Sequence, residues 1–306
     1  MRSQKRVRDE LRFVTEFTTL FDVMQQVASS QLHRLEGVCG ERERLTQLIA
    51  TEGLALLPSS ARQHPLVRGG ERGRLMIIMT SDEGLVGPLH SAVVRQALIK
   101  SQEGLAQETL PESIQWLLIG SRGPRLLGAR ASHRVTIPMP EEEQVSVQMH
   151  ELARSVLMRC QQERLRDVWL VSPRFISTMR QDVAIQQLLP LPLPKDTAHE
   201  HERDLVLEPS LDRVLECVAL VWTASHLMEA YWSSRRAEFA ARALHIEFSR
   251  QELAKRATVV HHEFFKTLHE RVDVLVRETC VVQRQVARRL SAKAAVSPRY
   301  PKSVLR

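Results

Sequence analysis

The sequence has few aromatic residues, no paired cysteines and no long apolar run. No uninterrupted apolar stretch approaches the roughly 18 residues of a membrane helix, and the start, MRSQKRVRDELRF, lacks the apolar core of a secretory signal. The four cysteines lie far apart and form no CxxC pair, which argues against a disulfide framework and a zinc site. We therefore expect a soluble protein that is not exported, in a reducing compartment, with enough hydrophobic residues (43%) to bury a core.

The net charge of +7 gives little support to nucleic-acid binding because of where it lies. Residues 287–306 carry six positive charges and no acidic residue, so the rest of the chain is nearly neutral. A nucleic-acid domain usually spreads basic residues over one face and interleaves aromatics, which are only 5% of this chain. We expect no nucleic-acid partner.

Glycine and proline divide the chain into three parts. Glycine is absent after Gly128, and proline is absent between Pro209 and Pro298. Residues 210–297 and residues 1–36 therefore contain no helix breaker of either kind. The pattern predicts a middle part interrupted by turns, between two long end segments without helix breakers.

Apolar side chains recur at intervals of three, four or seven near the N-terminus, which predicts a long amphipathic helix. The stripe consists of Val7, Leu11, Val14, Phe21, Ala28, Leu32 and Leu35, widened by Phe17, Met24 and Val27. Thr18 and Gln25 fall on inner positions, which is typical of a long helix pair. Gly37 and Gly40 are predicted to end this helix, and a second amphipathic stretch follows over residues 41–57.

The C-terminal part also reads as helix. Pro209 and Ser210 form a helix-start signal with Asp212 in the first turn, and apolar residues then recur at helical spacing to Val286. If most of residues 211–290 form one helix, it spans roughly 120 Å at 1.5 Å per residue. Such a helix must project beyond its own domain and be covered by the N-terminal helix, by partners or by both. Several shorter helices in a compact bundle are the alternative.

The middle alternates strand and helix signals. The predicted strands are residues 74–80, 113–120 and 167–172, the predicted helices are residues 89–100 and 145–164, and weaker edge strands are residues 135–139 and 205–208. This alternation predicts βαβ units and a mostly parallel sheet.

Motifs for nucleotide, metal or catalytic chemistry are missing. There is no GxxxxGK[ST], GxGxxG or GxSxG, and the turn at residues 80–87 contains acids and no lysine, so we interpret it as structural. His199, Glu200 and His201 lie in a polar loop, and adjacent His261 and His262 point apart on a helix. We expect no catalytic residues, no metal and no cofactor.

Several stretches together resemble one family over nearly the whole chain, the gamma subunit of rotary F-type ATP synthases. Residues 20–32 (LFDVMQQVASSQL) are similar to its first-helix signature, with matches at Met24, Val27, Ala28, Ser29 and Leu32. Residues 76–91 (MIIMTSDEGLVGPLHS) resemble its strand-and-turn motif, with matches that include Asp82, Gly84, Leu85 and Gly87.

The second half carries the resemblance further. Residues 174–192 are similar to the family segment that ends Q-L-L-P-L, and Glu208-Pro209-Ser210 resembles the E-P-S that opens its final helix. Glu238 and Arg242 fit its S-E-x-A-A-R-M. The order and spacing of the motifs also agree.

The resemblance implies an α/β fold, with an antiparallel coiled coil of long N- and C-terminal helices and a Rossmann-like central α/β domain. It implies a central-stalk rotor that couples ion translocation through the membrane sector to ATP synthesis or hydrolysis by turning inside the alpha/beta ring. The implied partners are the ATP synthase alpha and beta subunits, the epsilon subunit and the membrane c-ring. The implied location is the cytoplasmic face of the inner or plasma membrane, peripheral and without direct lipid insertion. Such a rotor needs differential contacts in each rotational state, not catalytic residues.

The sequence departs from the family pattern at several positions. Asp22 and Gln31 replace lysines, and Pro88 replaces a glycine. Where the family has R-Q-A-x-I-T-x-E-L, residues 268–276 read LHERVDVLV, so the usual beta-subunit contact, which falls on Leu268, His269 and Val272, is altered. These departures point to a divergent or alternative F-type ATPase, sodium-pumping ones included, with no ion site on this subunit.

The predicted segments are the N-terminal coiled-coil helix with a following helical segment (1–57), the central α/β domain (73–208), the long C-terminal coiled-coil helix (209–290) and the basic tail (291–306). Two other function classes stay open at this point. One is a compact α/β enzyme or ligand-binding domain that uses residues 81–87 and works as a monomer. The other is a coiled-coil scaffold whose basic tail, residues 287–306, binds nucleic acid in a salt-dependent way.

Overall fold

The computed structural model describes residues 4–103, 114–128, 133–193 and 207–295. The helices are α1 (Gln4–Leu48), α2 (Pro65–Arg68), α3 (Leu89–Gln102), α4 (Arg122–Leu127), α5 (Val145–Glu163) and α6 (Leu211–Ala295). The strands are β1 (Arg72–Met79), β2 (Ile114–Ile119), β3 (His133–Ile137), β4 (Leu165–Ser177) and β5 (Arg180–Leu189). A π-helical turn (Ile49–Gly53) and a 3-10 turn (Ser59–Gln63) connect α1 with α2.

The chain forms two compact units. The first combines Met1–Asp22 with Ser249–Arg306, and the second is Val23–Phe248. The second unit contains all the described strands. Helices α1 and α6 each contribute residues to both units.

The described strands of the second unit form one five-stranded sheet in the order β3-β2-β1-β4-β5. Strand β1 pairs in parallel with β2 and β4, and β3 lies at the edge, parallel to β2. Every residue from Leu75 to Met79 is fully buried, because a central parallel strand is covered on both faces. The predictions of a mostly parallel sheet and of an edge strand near residue 135 are confirmed.

Strand β5 was not predicted. It runs antiparallel to β4, to which it is joined by a tight turn at Thr178 and Met179. Its sequence, RQDVAIQQLL, has no clean alternation, and the turn lacks the glycine or asparagine that marks most short hairpins. This segment is therefore a strand because it pairs with β4, and not because its own residues prefer β structure.

Two groups of helices cover the two faces of the sheet, because successive side chains of a strand point to opposite faces. Leu75 and Ile77 lie in a core with Met149 of α5 and Tyr231 of α6. Met76 and Ile78 point to the other side, where they pack with the helix α3. The Rossmann-like arrangement implied by the resemblance is confirmed.

Helix α1 does not end at Gly37 or Gly40, and that prediction is wrong. The helix continues to Leu48, and a Cβ added at either glycine would meet nothing within 4 Å. A helical glycine costs only about 1 kcal/mol relative to alanine, which the packing of Leu35 and Thr46 on the same helix offsets.

The buried stripe of α1 is narrower than predicted. Val7 and Val14 are buried in the first unit, and Ala28, Leu32 and Leu35 are buried in the second. Phe17 and Val27 are exposed and do not widen the stripe, which is a correction. Thr18 and Gln25 are partly buried, as expected of inner positions.

Helix α6 is a single helix from Leu211 to Ala295, so the alternative of several shorter helices is wrong. The hydroxyl of Ser210 accepts a hydrogen bond from the Arg213 N–H at 3.4 Å, and Asp212 lies in the first turn, as predicted. Within the first unit, Val260 is buried, whereas every residue at positions 271–291 is exposed.

Part of the remaining expectations falls outside the described residues. Residues 205 and 206 of the weak strand predicted at 205–208 lie outside them, and Leu207 and Glu208 are not in a strand. The basic tail is helical as far as Ala295, and its last residues lie outside the description. Within the described ranges, no helix has both the length and the hydropathy that crossing a membrane requires.

Candidate functional site

The turn at residues 80–87 lies at the carboxyl ends of the parallel strands and begins at Thr80. The Thr80 N–H donates to the Ile119 carbonyl at 2.8 Å, and the Thr80 hydroxyl accepts from the Gly123 N–H at 2.9 Å. Gly120 has a φ of +88°, and a Cβ there would lie 2.2 Å from the Thr80 carbonyl oxygen. Only glycine fits this approach of two strand ends.

Asp82 fastens the turn to two neighbouring loops. One carboxylate oxygen accepts from the Ser121 N–H at 2.6 Å, and the other accepts from the Met139 N–H at 3.2 Å. Burial by itself raises the pKa of this carboxyl, but the two backbone hydrogen bonds and the charge of Arg235 outweigh burial and hold the pKa below its usual value. Asp82 is therefore an ionised structural acceptor at neutral pH.

Ser81 and His90 form a buried hydroxyl–imidazole pair, with 2.8 Å between Oγ and Nε2. Burial, helped by the charges of Arg122 and Arg242, lowers the pKa of His90 to about 4, so the ring is neutral at pH 7. Ser81 is 0% and His90 is 4% exposed, so neither atom is accessible to a substrate. The pair supports the structural interpretation of the turn.

Helix α6 holds the turn through Arg242. Its Nη2 donates to Glu83 Oε2 at 2.6 Å, and its Nε donates to the Gly84 carbonyl at 3.4 Å. Only a small part of the Arg242 side chain is exposed, whereas about half of the Glu83 carboxylate side chain faces solvent. The Arg242 side chain thus links α6 to the turn at residues 80–87.

A small apolar contact lies beside this ion pair. Val86 is buried against Ala237 and Ala241, whose short side chains let the turn approach the helix closely. Leu85, at the tip of the turn, has a φ of 62° and remains 52% exposed, and Gly87 has a φ of +60°. The turn therefore presents one apolar side chain to solvent while Val86 anchors it.

Glu238 lies on α6 beneath the turn and is 1% exposed. Burial raises its pKa to about 8, and the nearby charges of Arg235 and Arg242 lower it only in part. The structure therefore brings together six of the residues singled out from the sequence, namely Asp82, Gly84, Leu85, Gly87, Glu238 and Arg242.

Three further side-chain contacts connect α1 and α6 with each other and with the rest of the second unit. Arg34 of α1 makes two hydrogen bonds of 2.7 Å to Glu142, before α5. Arg236 of α6 reaches Glu36 of α1 at 3.3 Å. The Tyr231 hydroxyl donates to a carbonyl of the loop before α5 at 3.1 Å. Sequence reasoning missed these residues, because the partners lie about 90 to 200 positions apart.

The first-helix motif is split between two faces of α1. Ala28 and Leu32 are buried, and Met24 is partly buried. Val27 is 55% exposed and Ser29 is also exposed. The motif lies apart from the turn, and its outer residues form a separate candidate contact surface.

The third candidate group lies on α6 within the first unit. Leu268 is 37% and Val272 is 48% exposed, and His269 is exposed as well. The exposed apolar strip, defined as Leu268, Val272, Leu275, Val282 and Val286, continues at helical spacing. Exposed apolar rows of this length mark surfaces that bind another protein.

The described residues give no basis for a metal site. Within the described ranges, no group of three or more His, Cys, Asp or Glu side chains is placed to hold a metal ion. His261 and His262 are both exposed on α6, and His199, Glu200 and His201 lie outside the described residues. That the chain carries no cofactor stays a prediction.

Comparison with known proteins assigns a family. A family model described as ATP synthase matches residues 3–267. The chain is 25% identical over 256 residues to the ATP synthase gamma chain of Burkholderia thailandensis, an alignment that covers 79% of this chain and 85% of that protein. It is 24% identical over 250 residues to the ATP synthase gamma chain of Paracidovorax citrulli, with coverage of 79% and 85%. The family match ends close to where α6 becomes fully exposed.

Solved structures share the fold. A chain of the Euglena gracilis mitochondrial ATP synthase (OSCP/F1/c-ring, rotational state 3) matches with a TM-score of 0.62 at 14% identity, covering 99% of this chain and 98% of that one. A chain of the Tetrahymena thermophila mitochondrial ATP synthase central stalk and c-ring matches with a TM-score of 0.56 at 18% identity, covering 75% and 99%. These likenesses confirm an α/β domain with long terminal helices.

Proposed function

The chain belongs to the ATP synthase family and is a gamma-type central-stalk rotor subunit of an F-type ATP synthase, and we propose that the contacts of Tyr231 and Arg242 carry rotation between the α/β domain and α6. Rotation of this subunit couples ion translocation to ATP synthesis or hydrolysis. The role is mechanical: an asymmetric rotor must favour a different nucleotide state of its neighbours at each angle, which requires differential contacts. Nucleotide chemistry then belongs to the partner subunits.

The observation that carries the proposal is the continuity of α6. One helix without glycine or proline runs from the sheet of the second unit into the first unit. Two side chains of α6 fix this helix to the α/β domain at places about three helical turns apart: Arg242 bonds to the turn, and Tyr231 bonds to the loop before α5. A helix held at two levels transmits twist, because it cannot rotate about its axis without breaking both contacts.

The proposed partners are the alpha and beta subunits, the epsilon subunit and the membrane c-ring. The similar chains of Euglena and Tetrahymena come from assemblies whose titles name F1, the central stalk and the c-ring. For the alpha/beta ring we propose the exposed apolar strip together with His269, and the outward face of the first-helix motif at Val27 and Ser29. Both surfaces are exposed on the chain alone and contain side chains that a partner would cover.

The chain belongs to a membrane-associated complex, and we propose that it lies on the cytoplasmic face of the inner or plasma membrane, peripherally. All four cysteines are free, and Cys217 and Cys280 are exposed. Exposed free thiols fit a reducing compartment.

We further propose that the chain is organised functionally into the segments 1–57, 73–208, 209–290 and 291–306. The described helices and strands support the first three, because α1 ends at Leu48, β1 begins at Arg72 and α6 begins at Leu211. The basic tail would be an appendage to the end of α6.

Direct observation of rotation tests the function. The complex is purified from native membranes through a tag on its beta subunit, immobilised, and labelled with a bead at Cys217 in a Cys280→Ser background. Bead rotation in one direction, dependent on ATP, is the expected result. The same preparation with Cys217→Ser controls for unspecific attachment. A bead that stays still while the complex hydrolyses ATP, or absence of this chain from the purified complex, would overturn the proposal.

A further inference from the structure

Glu238 is the most deeply buried carboxyl group among the described residues, and neither of its oxygens has a hydrogen-bond partner of normal geometry there, although the Ser81 hydroxyl is close enough to favour its ionised form. The closest cation is Arg235, whose Nη1 lies 3.7 Å from Oε2, beyond hydrogen-bond distance. A buried carboxylate with one cation at 3.7 Å and no well-formed hydrogen bond is costly, so the protonated acid is favoured.

The groups that face Glu238 come from every element packed against it. Arg235 and Arg242 lie on its own helix, and Glu83 reaches over it from the turn. The Ser81 hydroxyl, which is paired with the neutral His90, also approaches Glu238 and favours its ionised form. Arg122 of α4 lies next to the turn, since a Cβ on Gly84 would be 2.9 Å from its Nη2.

Arg242 therefore has two acids within the same cluster. It is bound to Glu83, which is half exposed, while Glu238 lies one helical turn away on α6. The bond to Glu83 and the bond to the Gly84 carbonyl are what hold the turn on the helix. Drawing Arg242 towards Glu238 weakens both.

We infer that Glu238 is a proton-controlled latch for the turn at residues 80–87. With its proton bound, Arg242 stays on Glu83 and Val86 remains seated between Ala237 and Ala241. When the proton leaves to solvent, the carboxylate attracts Arg242 and the turn is released from α6. The contact between the turn and α6 therefore depends on pH.

The direction of the effect follows from linkage. Burial raises the pKa of the seated Glu238 to about 8, and a carboxyl that regains solvent when the turn is released returns towards its ordinary value of 4.5. The seated state binds the proton more tightly, so its stabilisation is complete below pH 4.5 and is lost as the pH rises to about 8. Across that window the equilibrium for release increases about tenfold per pH unit and then levels off.

A narrower window limits the contribution of the other titratable groups near the turn. Between pH 6.5 and pH 8.5, His90 is neutral while the turn is seated, because burial lowers its pKa to about 4; on release its pKa returns towards the ordinary value of 6.5, which reduces the rise by at most about twofold. The lowered pKa of Asp82 lies below this window, and the raised pKa of Tyr231 lies above it. With Glu238 and His90 both counted, release increases about tenfold from pH 6.5 to pH 8.5.

The rate of thiol labelling in the purified full chain measures release. Val86 is 4% exposed and lies at the latch, so Val86→Cys places a thiol that reacts only when the turn lifts. Its rate is divided by that of an unstructured thiol peptide at the same pH. Buried Cys160 of α5, quantified in the same digest, reports global unfolding. If Val86→Cys does not fold, Ala241→Cys probes the same contact from the helix side.

We expect the corrected rate to rise about tenfold from pH 6.5 to pH 8.5. With Glu238→Gln added, the rate should stay low and show no rise, whereas the control Glu216→Gln, a partly exposed acid on the same helix, should keep the rise. A flat rate in the parent, an equal rise with Glu238→Gln, or a parallel rise at Cys160 would overturn the latch. The measurement involves no partner subunit, so its failure leaves the rotor function untouched.

Discussion

Proline at position 254 should separate folding from coupling. Ala254 is exposed on α6 within the first unit, beyond the end of the second unit at Phe248. Ala254→Pro removes one helical hydrogen bond and places the ring against the carbonyl of residue 250, which costs about 3 kcal/mol and kinks the helix. The straight helix is then disfavoured about a hundredfold.

The size of the disturbance follows from the helix geometry. From Ala254 to Ala295 the helix extends about 60 Å at 1.5 Å per residue. A kink of about 25° displaces its end by about 25 Å, more than twice the diameter of a helix. The exposed apolar strip therefore moves away from any partner surface that fits the straight helix.

Two measurements distinguish the consequences. All four tryptophans lie at positions between 23 and 248, so their fluorescence reports the second unit alone, and its thermal transition should not move. In membrane vesicles, ions pumped per ATP hydrolysed should fall at least about tenfold. Ala254→Gly, which costs about 1 kcal/mol without a clash, should keep most of the coupling. Unfolding of the second unit, or unchanged pumping per ATP, would refute the reasoning.

Three further changes have outcomes that the structure fixes. Gly120→Ala should destabilise the chain by about 2 kcal/mol or more, since the new Cβ meets a backbone oxygen at a positive φ, whereas Gly40→Ala in open helix should stabilise it by about 1 kcal/mol. Urea unfolding compares the two, and equal effects would contradict the close approach. Asp167→Asn leaves the buried Arg74 guanidinium, now bonded at 2.6 and 2.9 Å, without its charge partner and should cost about 3 kcal/mol by the same assay. A loss within the error of the measurement would mean that the pair contributes nothing. Val272→Asp should leave the fluorescence transition of the chain unchanged and reduce its recovery in the assembled complex, and normal assembly would exclude the exposed strip as a contact.

The elements with strong local signals could be predicted from the sequence. Helix α6 has a clear start at Ser210 and no breaker along its length, and β1 is a short buried apolar run. Strand β5 could not be predicted, because only its partner β4 makes it a strand. Gly37 misled for a related reason: a local cost of about 1 kcal/mol was outweighed by the tertiary packing of the same helix.

The site was only partly readable in the same way. The resemblance singled out Asp82, Glu238 and Arg242, but nothing in the sequence distinguishes a buried glutamate on a helix from a solvated one. Pairs such as Arg34 with Glu142 have no spacing rule, because the fold alone brings them together. Burial and distant charge pairing are properties of the assembled chain, and they require coordinates.

The exposed apolar strip also concerns the life of the newly made chain. Until partners cover the exposed apolar strip, each free copy presents an apolar helix surface that can bind another copy. A cell that makes this chain in excess of its partners would accumulate aggregates in place of spare rotors. Matched synthesis of the subunits, or a chaperone that shields the end of α6, is thus a requirement that the helix itself imposes.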